Sequence, residues 1–271
     1  MKTDTLYDKG VGQINEDALL LTDSVFGVFD GTSSLEPYQN EEGKTGAAIV
    51  SSIARDIFSC ILGDTKSLVE FAREANDAIG NAMRKKGIDT SRKTALWATT
   101  GAVVKLNDDT FDWLQIGDSL ILTISHDRSF RLLIDDYDHD LETMIMWQEL
   151  VSRQTENIRS VLNEQLLSLR NKMNVDYGTL DGEKEMEGFL KHGVVALDEV
   201  AHIIIFTDGL FIPKEDPRQP DDFKTFVDLF LDGGLKQVHS YVRKQETSDP
   251  KCWRYPRFKQ HDDIAAIALS F

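Results

Sequence analysis

Apolar positions along the chain fall into two rhythms, and the switches between them mark the elements. The stretch GQINEDALLLTDSVFGVFDG predicts two strands joined by a turn at Thr22-Asp23-Ser24. Small and apolar residues recur at helical spacing over 43–62, which predicts a helix of about five turns from the 3.6-residue period. A second helix is predicted over 67–86, with Leu68, Phe71, Ala72, Ala75, Ile79 and Met83 on one face. LWATTGAVVKL, TFDWLQIGDSLILTI and a short SFRLLI then read as strands, the first two joined by a hairpin turn at Asn107-Asp108-Asp109. Residues 138–173 contain neither proline nor glycine and predict helix, whereas 174–193 predict an irregular or hairpin segment. VAHIIIF, wholly apolar, predicts a buried strand. Helix follows over 221–246, broken near Gly233-Gly234, and DIAAIALSF closes the pattern as a strand.

Strands at hairpin spacing with helices in separate blocks favour antiparallel sheets covered by helices, an α+β class, over a βαβ repeat. No repeat and no linker rich in proline, glycine or serine divides residues 1–271, so one domain is expected.

Composition adds exclusions. The chain carries 46 acids against 30 bases, a net charge of −16, which repels nucleic acid and anionic lipid. No apolar run approaches the ~20 residues of a membrane span, and MKTDTLYDKG lacks a signal peptide's apolar core. A soluble, cytoplasmic protein is expected. Cys60 and Cys252, the only cysteines, form no metal-binding pattern and fit a reducing compartment.

The informative chemistry lies where apolar strands stop. VFGVF runs into Asp30-Gly31, IIIFT into Asp208-Gly209, and Asp262-Asp263 stand just before IAAIAL. Asn15-Glu16-Asp17 and Gly117-Asp118-Ser119 add further acids. A single Asp-Gly is a common turn. Several acids at the ends of neighbouring strands can instead converge, because strands lie only about 5 Å apart. Convergent anions need a counter-charge, and these motifs contain no matching cluster of Lys, Arg or His. Hard divalent cations with oxygen ligands, Mg²⁺ or Mn²⁺, suit them; zinc does not, since neither His nor Cys recurs at ligand spacing.

The order NED, VFGVFDG, TTGAVV, GDS, IIIFTDGL and DDIAAIAL, from Asn15 to Leu269, resembles the metal-dependent protein phosphatases of the type 2C family. The resemblance implies a four-layer α-β-β-α sandwich of two antiparallel sheets. It implies a serine/threonine phosphoprotein phosphatase in which hydroxide held on two Mg²⁺ or Mn²⁺ ions hydrolyses phosphomonoesters. Asp30 resembles the carboxylate that bridges the two ions, and Gly31 the residue whose carbonyl ligates one. Asp208 and Asp262 are similar to ligands of the first ion, Glu16 to the acid of the second, and Asp118 to the ligand of a weakly held third. Asp17 resembles the acid that orients metal-bound water, and Asp263 stands where an Asn or Asp accompanies its neighbour.

Three departures accompany the likeness. Many members carry a phosphate-clamping arginine before NED, where this chain has Lys9, Gly10, Val11 and Gly12. Thr32 stands where many have a histidine, and Leu120 replaces the arginine of GDSR. These losses favour an alternative: a phosphatase-like regulatory or scaffold module with little turnover. A phosphatase of small phosphorylated metabolites is a third reading. The groove walls that select substrate are expected from 33–43 and 131–195. Four lesser features have plain readings: Lys9 and His261 as surface side chains, Gly43-Lys44-Thr45 as no phosphate loop, and the acidic run 135–140 as a solvated loop capping the next helix.

Overall fold

A strand that is apolar at every position has two faces to bury, and the fold supplies cover on both. The computed structural model describes residues 1–32, 34–61, 66–134 and 138–271. One antiparallel sheet comprises, in order, β1 (Lys2–Asp8), β10 (Ile264–Ser270), β9 (Val200–Phe206), β6 (Leu120–Ser125) and β7 (Phe130–Leu132). The other comprises β2 (Ala18–Leu21), β3 (Val25–Thr32), β4 (Ala98–Leu106), β5 (Thr110–Ile116) and β8 (Lys191–Ala196).

The two sheets face each other through Phe26, Val28, Val104 and Phe111 on one side and Ile121, Ile203, Ile205 and Ile267 on the other. Successive side chains alternate faces. Phe29 and Val103 therefore turn outward onto α1 (Gly46–Ser59) and α2 (Leu68–Lys85), while Ile204, Phe206 and Ala266 turn outward onto α6 (Phe223–Ser248). This is the expected α-β-β-α sandwich.

The helices start on side-chain caps. Thr45 accepts from the Ala48 amide at α1, and at α2 Ser67 and Glu70 cap each other's amides, satisfying donors the helix leaves open. The predicted apolar face of α2 is the buried one. Helix α6 kinks at Gly233 and Gly234, as the glycine pair suggested.

Four expectations need correction. TFDWLQIGDSLILTI is two strands in different sheets, because Gly117 adopts φ +74° and turns the chain between β5 and β6. The stretch 138–173 is three helices, α3 (Leu141–Ser152), α4 (Ile158–Val161) and α5 (Asn163–Asn171), interrupted where Gln154 and Asn157 take positive φ. The irregular segment carries strand β8. Strand β1 went unpredicted because KTDTLYD is polar and mostly exposed at the sheet edge. Leu62, at the end of the first predicted helix, lies outside the described residues. Both cysteines are free thiols. No helix among the described residues is long and apolar enough to cross a membrane.

Gly117 permits a direct test. A Cβ there would lie 2.4 Å from Thr100 Cγ2, in a backbone region that disfavours L side chains. Gly117→Ala is expected to destabilise the fold by at least about 2 kcal/mol, read as a lower urea midpoint at unchanged slope.

Candidate active site

The strand ends meet as the acids' positions required. Pairing of β6 with β9 sets Leu120 opposite Phe206, and pairing of β10 with β9 sets Ala266 opposite the same residue. Asp118, Asp208 and Asp262 therefore stand at one end of the first sheet. Asp30, opposite Thr100 near the end of β3, reaches the same place from the second sheet. These four carboxylates line one groove of about 150 Å³ together with Gly31.

Burial dominates their electrostatics. Asp208 is pushed up to about 8, with repulsion from Asp118 and Asp262 added and a hydrogen bond with Asp30 opposing. Burial, then the charges of Asp17, Asp208, Asp118 and Asp262, hold the Asp30 carboxyl well above the usual range. Asp17 is raised in the same way, chiefly by burial, against a hydrogen bond from the Thr207 hydroxyl to its Oδ2 at 2.8 Å. Without a counter-charge, burial and mutual repulsion favour the protonated forms of these carboxyls.

Other acids are held by the scaffold. Asp263 accepts the Gly10 and Glu16 amides, both at 2.8 Å, so it ties the N-terminal segment to the front of β10. Glu16 Oε1 accepts the Thr45 hydroxyl at 2.6 Å and lines a separate groove with Tyr38 and Gly46. Gly31 has no room for a side chain: a Cβ would come within 2.6 Å of the Glu16 carbonyl oxygen and 2.7 Å of that of Ala47. Arg243 donates to the Asp262 carbonyl at 2.6 Å and to Asp8 Oδ2 at 3.0 Å, fixing the backbone that carries Asp262.

The donor set suits hard cations. Asp118 Oδ1 and Asp140 Oδ1 are buried without a hydrogen-bond partner, which is costly for a carboxylate oxygen unless a cation meets it. Among the described residues, however, no three His, Cys, Asp or Glu side chains close on one point as a finished ion cage. A cation from the chain itself is present. Lys259 Nζ lies 2.7 Å from Asp262 Oδ1. Burial pulls the ammonium's pKa down, but Asp262, Asp30 and Glu16 outweigh it and leave the group above the ordinary lysine value.

Lys259 is one of several groups that the motifs missed. Arg159 and the buried Arg170 line the same groove, so it has a basic wall that no strand-end motif announced. His139 stacks on Tyr177 at 4.2 Å and lies 3.8 Å from Asp118. Asp140 precedes α3 but makes no capping bond; burial pushes it up to about 6, partly offset by His139. The expected solvated capping loop is therefore wrong at Asp140, while Asp135, Asp136 and Tyr137 lie outside the described residues, as does Ser33. The walls include 138–179 as expected, and also Phe211, Pro213 and Phe258, which were not. Lys9 is exposed and bonds only the Gln13 carbonyl; His261 pairs with Glu246; Thr45 caps α1. Leu120, where the family's arginine would stand, is buried beneath α6, a position that excludes a charge.

A pH dependence follows. Folded Asp140, Asp181 and Asp208 titrate at about 6, 7 and 8, each raised mainly by burial, whereas unfolded aspartates titrate near 4 by model-peptide values. The fold thus binds more protons than the unfolded chain between these limits. Its stability from this source is full below pH ~4 and is lost as pH rises through 6 to 8. Melting temperature in chelator should fall between pH 5 and 8.5, and Asp208→Asn should flatten the upper part. A rising profile would contradict the assignment.

Residues 9–245 match the sequence model of the family described as protein phosphatase 2C. No curated protein matches the chain. Among solved structures, the catalytic domain of the serine/threonine protein phosphatase PstP, in complex with two manganese ions, aligns with a TM-score of 0.60 at 14% identity, over 98% of this chain and 96% of that one. The PPM Ser-Thr phosphatase MsPP from Mycobacterium smegmatis, in complex with cacodylate, gives 0.58 at 16% over 100% and 98%. PppA of Pseudomonas aeruginosa gives 0.60 at 16% over 100% and 97%. At these identities the likeness is one of fold.

Proposed function

Because the chain belongs to the protein phosphatase 2C family, we propose that it is a metal-dependent serine/threonine phosphoprotein phosphatase acting through two Mg²⁺ or Mn²⁺ ions. The observation that carries this reading is the meeting of half-buried carboxylates from both sheets, Asp30, Asp118, Asp208 and Asp262, at one groove. Asp30 would serve both ions and the Gly31 carbonyl one of them, with Asp208 and Asp262 on the first, Glu16 on the second and Asp118 on a weaker third. Bound there, such ions would lower the pKa of water and offset phosphoryl charge.

The chain's own residues do the rest. Asp17, fixed by Thr207, would orient the attacking water. Arg159 and Arg170 on the groove wall supply the positive charge toward phosphate that the N-terminal segment lacks. A second groove, about 190 Å³, joins the first at Asp118, Asp208 and Asp262, and is walled by Phe211, Ile212, Pro213 and Phe258. This channel beside the acids, with apolar and charged walls, would take the residues flanking a phosphorylated side chain.

Two measurements test the reading. Hydrolysis of para-nitrophenyl phosphate and of a phosphothreonine peptide should require Mn²⁺ or Mg²⁺. Asp30→Asn should reduce it by at least about a thousandfold, with an unchanged or raised melting temperature in chelator, since Asn keeps the shape without the buried charge. Mn²⁺ at 100 times its dissociation constant should stabilise the wild type by about 2.7 kcal/mol. Ion binding without turnover would leave the regulatory module; no ion binding would remove the metal centre.

A further inference from the structure

The ammonium of Lys259 is in an unusual place for a surface cation. It reaches into the groove that Asp30, Asp118 and Asp208 line, and it donates to Asp262 at 2.7 Å. The same Asp262 oxygen accepts the Asp263 amide at 2.9 Å, so Oδ1 already holds two donors. Arg243 fixes the Asp262 backbone from behind through the carbonyl. One oxygen of the carboxylate thus takes both a scaffold amide and an ammonium.

We propose, on the divalent-ion reading above, that Lys259 is the site's resident counter-cation: its ammonium on Asp262 Oδ1 competes with a divalent ion for the negative charge of the groove. Two observations support this. Asp118 Oδ1, in the same groove, is buried without a hydrogen-bond partner, so charge remains there for an ion to meet. Asp30, Asp118 and Asp208 line the same groove, so one ammonium on Asp262 relieves part of the repulsion and leaves the rest for an ion. A neighbouring positive charge also opposes an arriving dication directly, and at this partly buried site the effect is little screened.

Lys259 therefore sets the ion concentration at which the site fills. At low divalent ion the groove rests as a self-neutralised pair; at higher concentration the ion displaces the ammonium.

Calorimetric titration of Mn²⁺ into the metal-free protein at one pH tests the competition. Lys259→Met is expected to lower the Mn²⁺ dissociation constant at least about tenfold, and Lys259→Gln should do the same should the Met variant fold poorly. Lys259→Arg keeps a cation and should stay near the wild type. In chelator the Met variant should melt below the wild type, because Asp262 has lost its partner; at saturating Mn²⁺ the gap should close. Equal Mn²⁺ affinity in wild type, Met and Gln variants would overturn the competition while leaving the metal centre standing. Absence of Mn²⁺ binding in all of them would overturn both.

Discussion

Carboxylates crowded away from water repel one another, and each one in this groove has met that repulsion differently. Asp263 spends both oxygens on backbone amides, and Asp17 takes a buried hydroxyl. Asp30 and Asp208 are pushed toward the protonated form, chiefly by burial, and Asp262 takes an ammonium. The first two arrangements are permanent, because an amide or a threonine cannot leave without unfolding. The latter two are provisional, because a proton or a lysine side chain can be exchanged for another cation. The division separates acids that build the site from acids left open to chemistry.

The permanent set also explains how distant segments are kept in register. Asp263 joins residues 10 and 16 to the start of β10, and Arg243 on α6 joins Asp8 to the Asp262 carbonyl. Bonds to charged groups are about twice as strong as neutral ones, so the N-terminal segment, β10 and α6 are tied firmly together around the groove.

Much of this was legible along the chain, for a physical reason. Strands apolar on both faces, such as VAHIIIF and IAAIAL, can only be central, and a carboxylate at such an end is costly enough to stand out. The breaks were less legible. The turn at Gly117 is masked by apolar residues on either side, and the interruptions at Gln154 and Asn157 use residues with only a weak preference for positive φ. Edge strands β1 and β8 are too polar to announce themselves. The groove's cations were hidden for a different reason. Lys259, Arg159 and Arg170 come from loops and short helices whose placement depends on tertiary packing, and a single lysine or arginine in such a segment looks like any solvated one.

The strand order has a consequence for how the molecule is made. Strand β10 lies between β1 and β9, so β1 cannot join the first sheet until residues 264–270 have left the ribosome. Four of the five strands of the second sheet are neighbours in sequence order, from β2 to β5, and can pair long before that. During synthesis the chain therefore carries a finished half and an unfinished half. Asp262 and Asp263 arrive with the final strand, so the acids come together only in the last step of assembly. A nascent chain is spared the mutual repulsion of the complete set until both sheets exist to contain it.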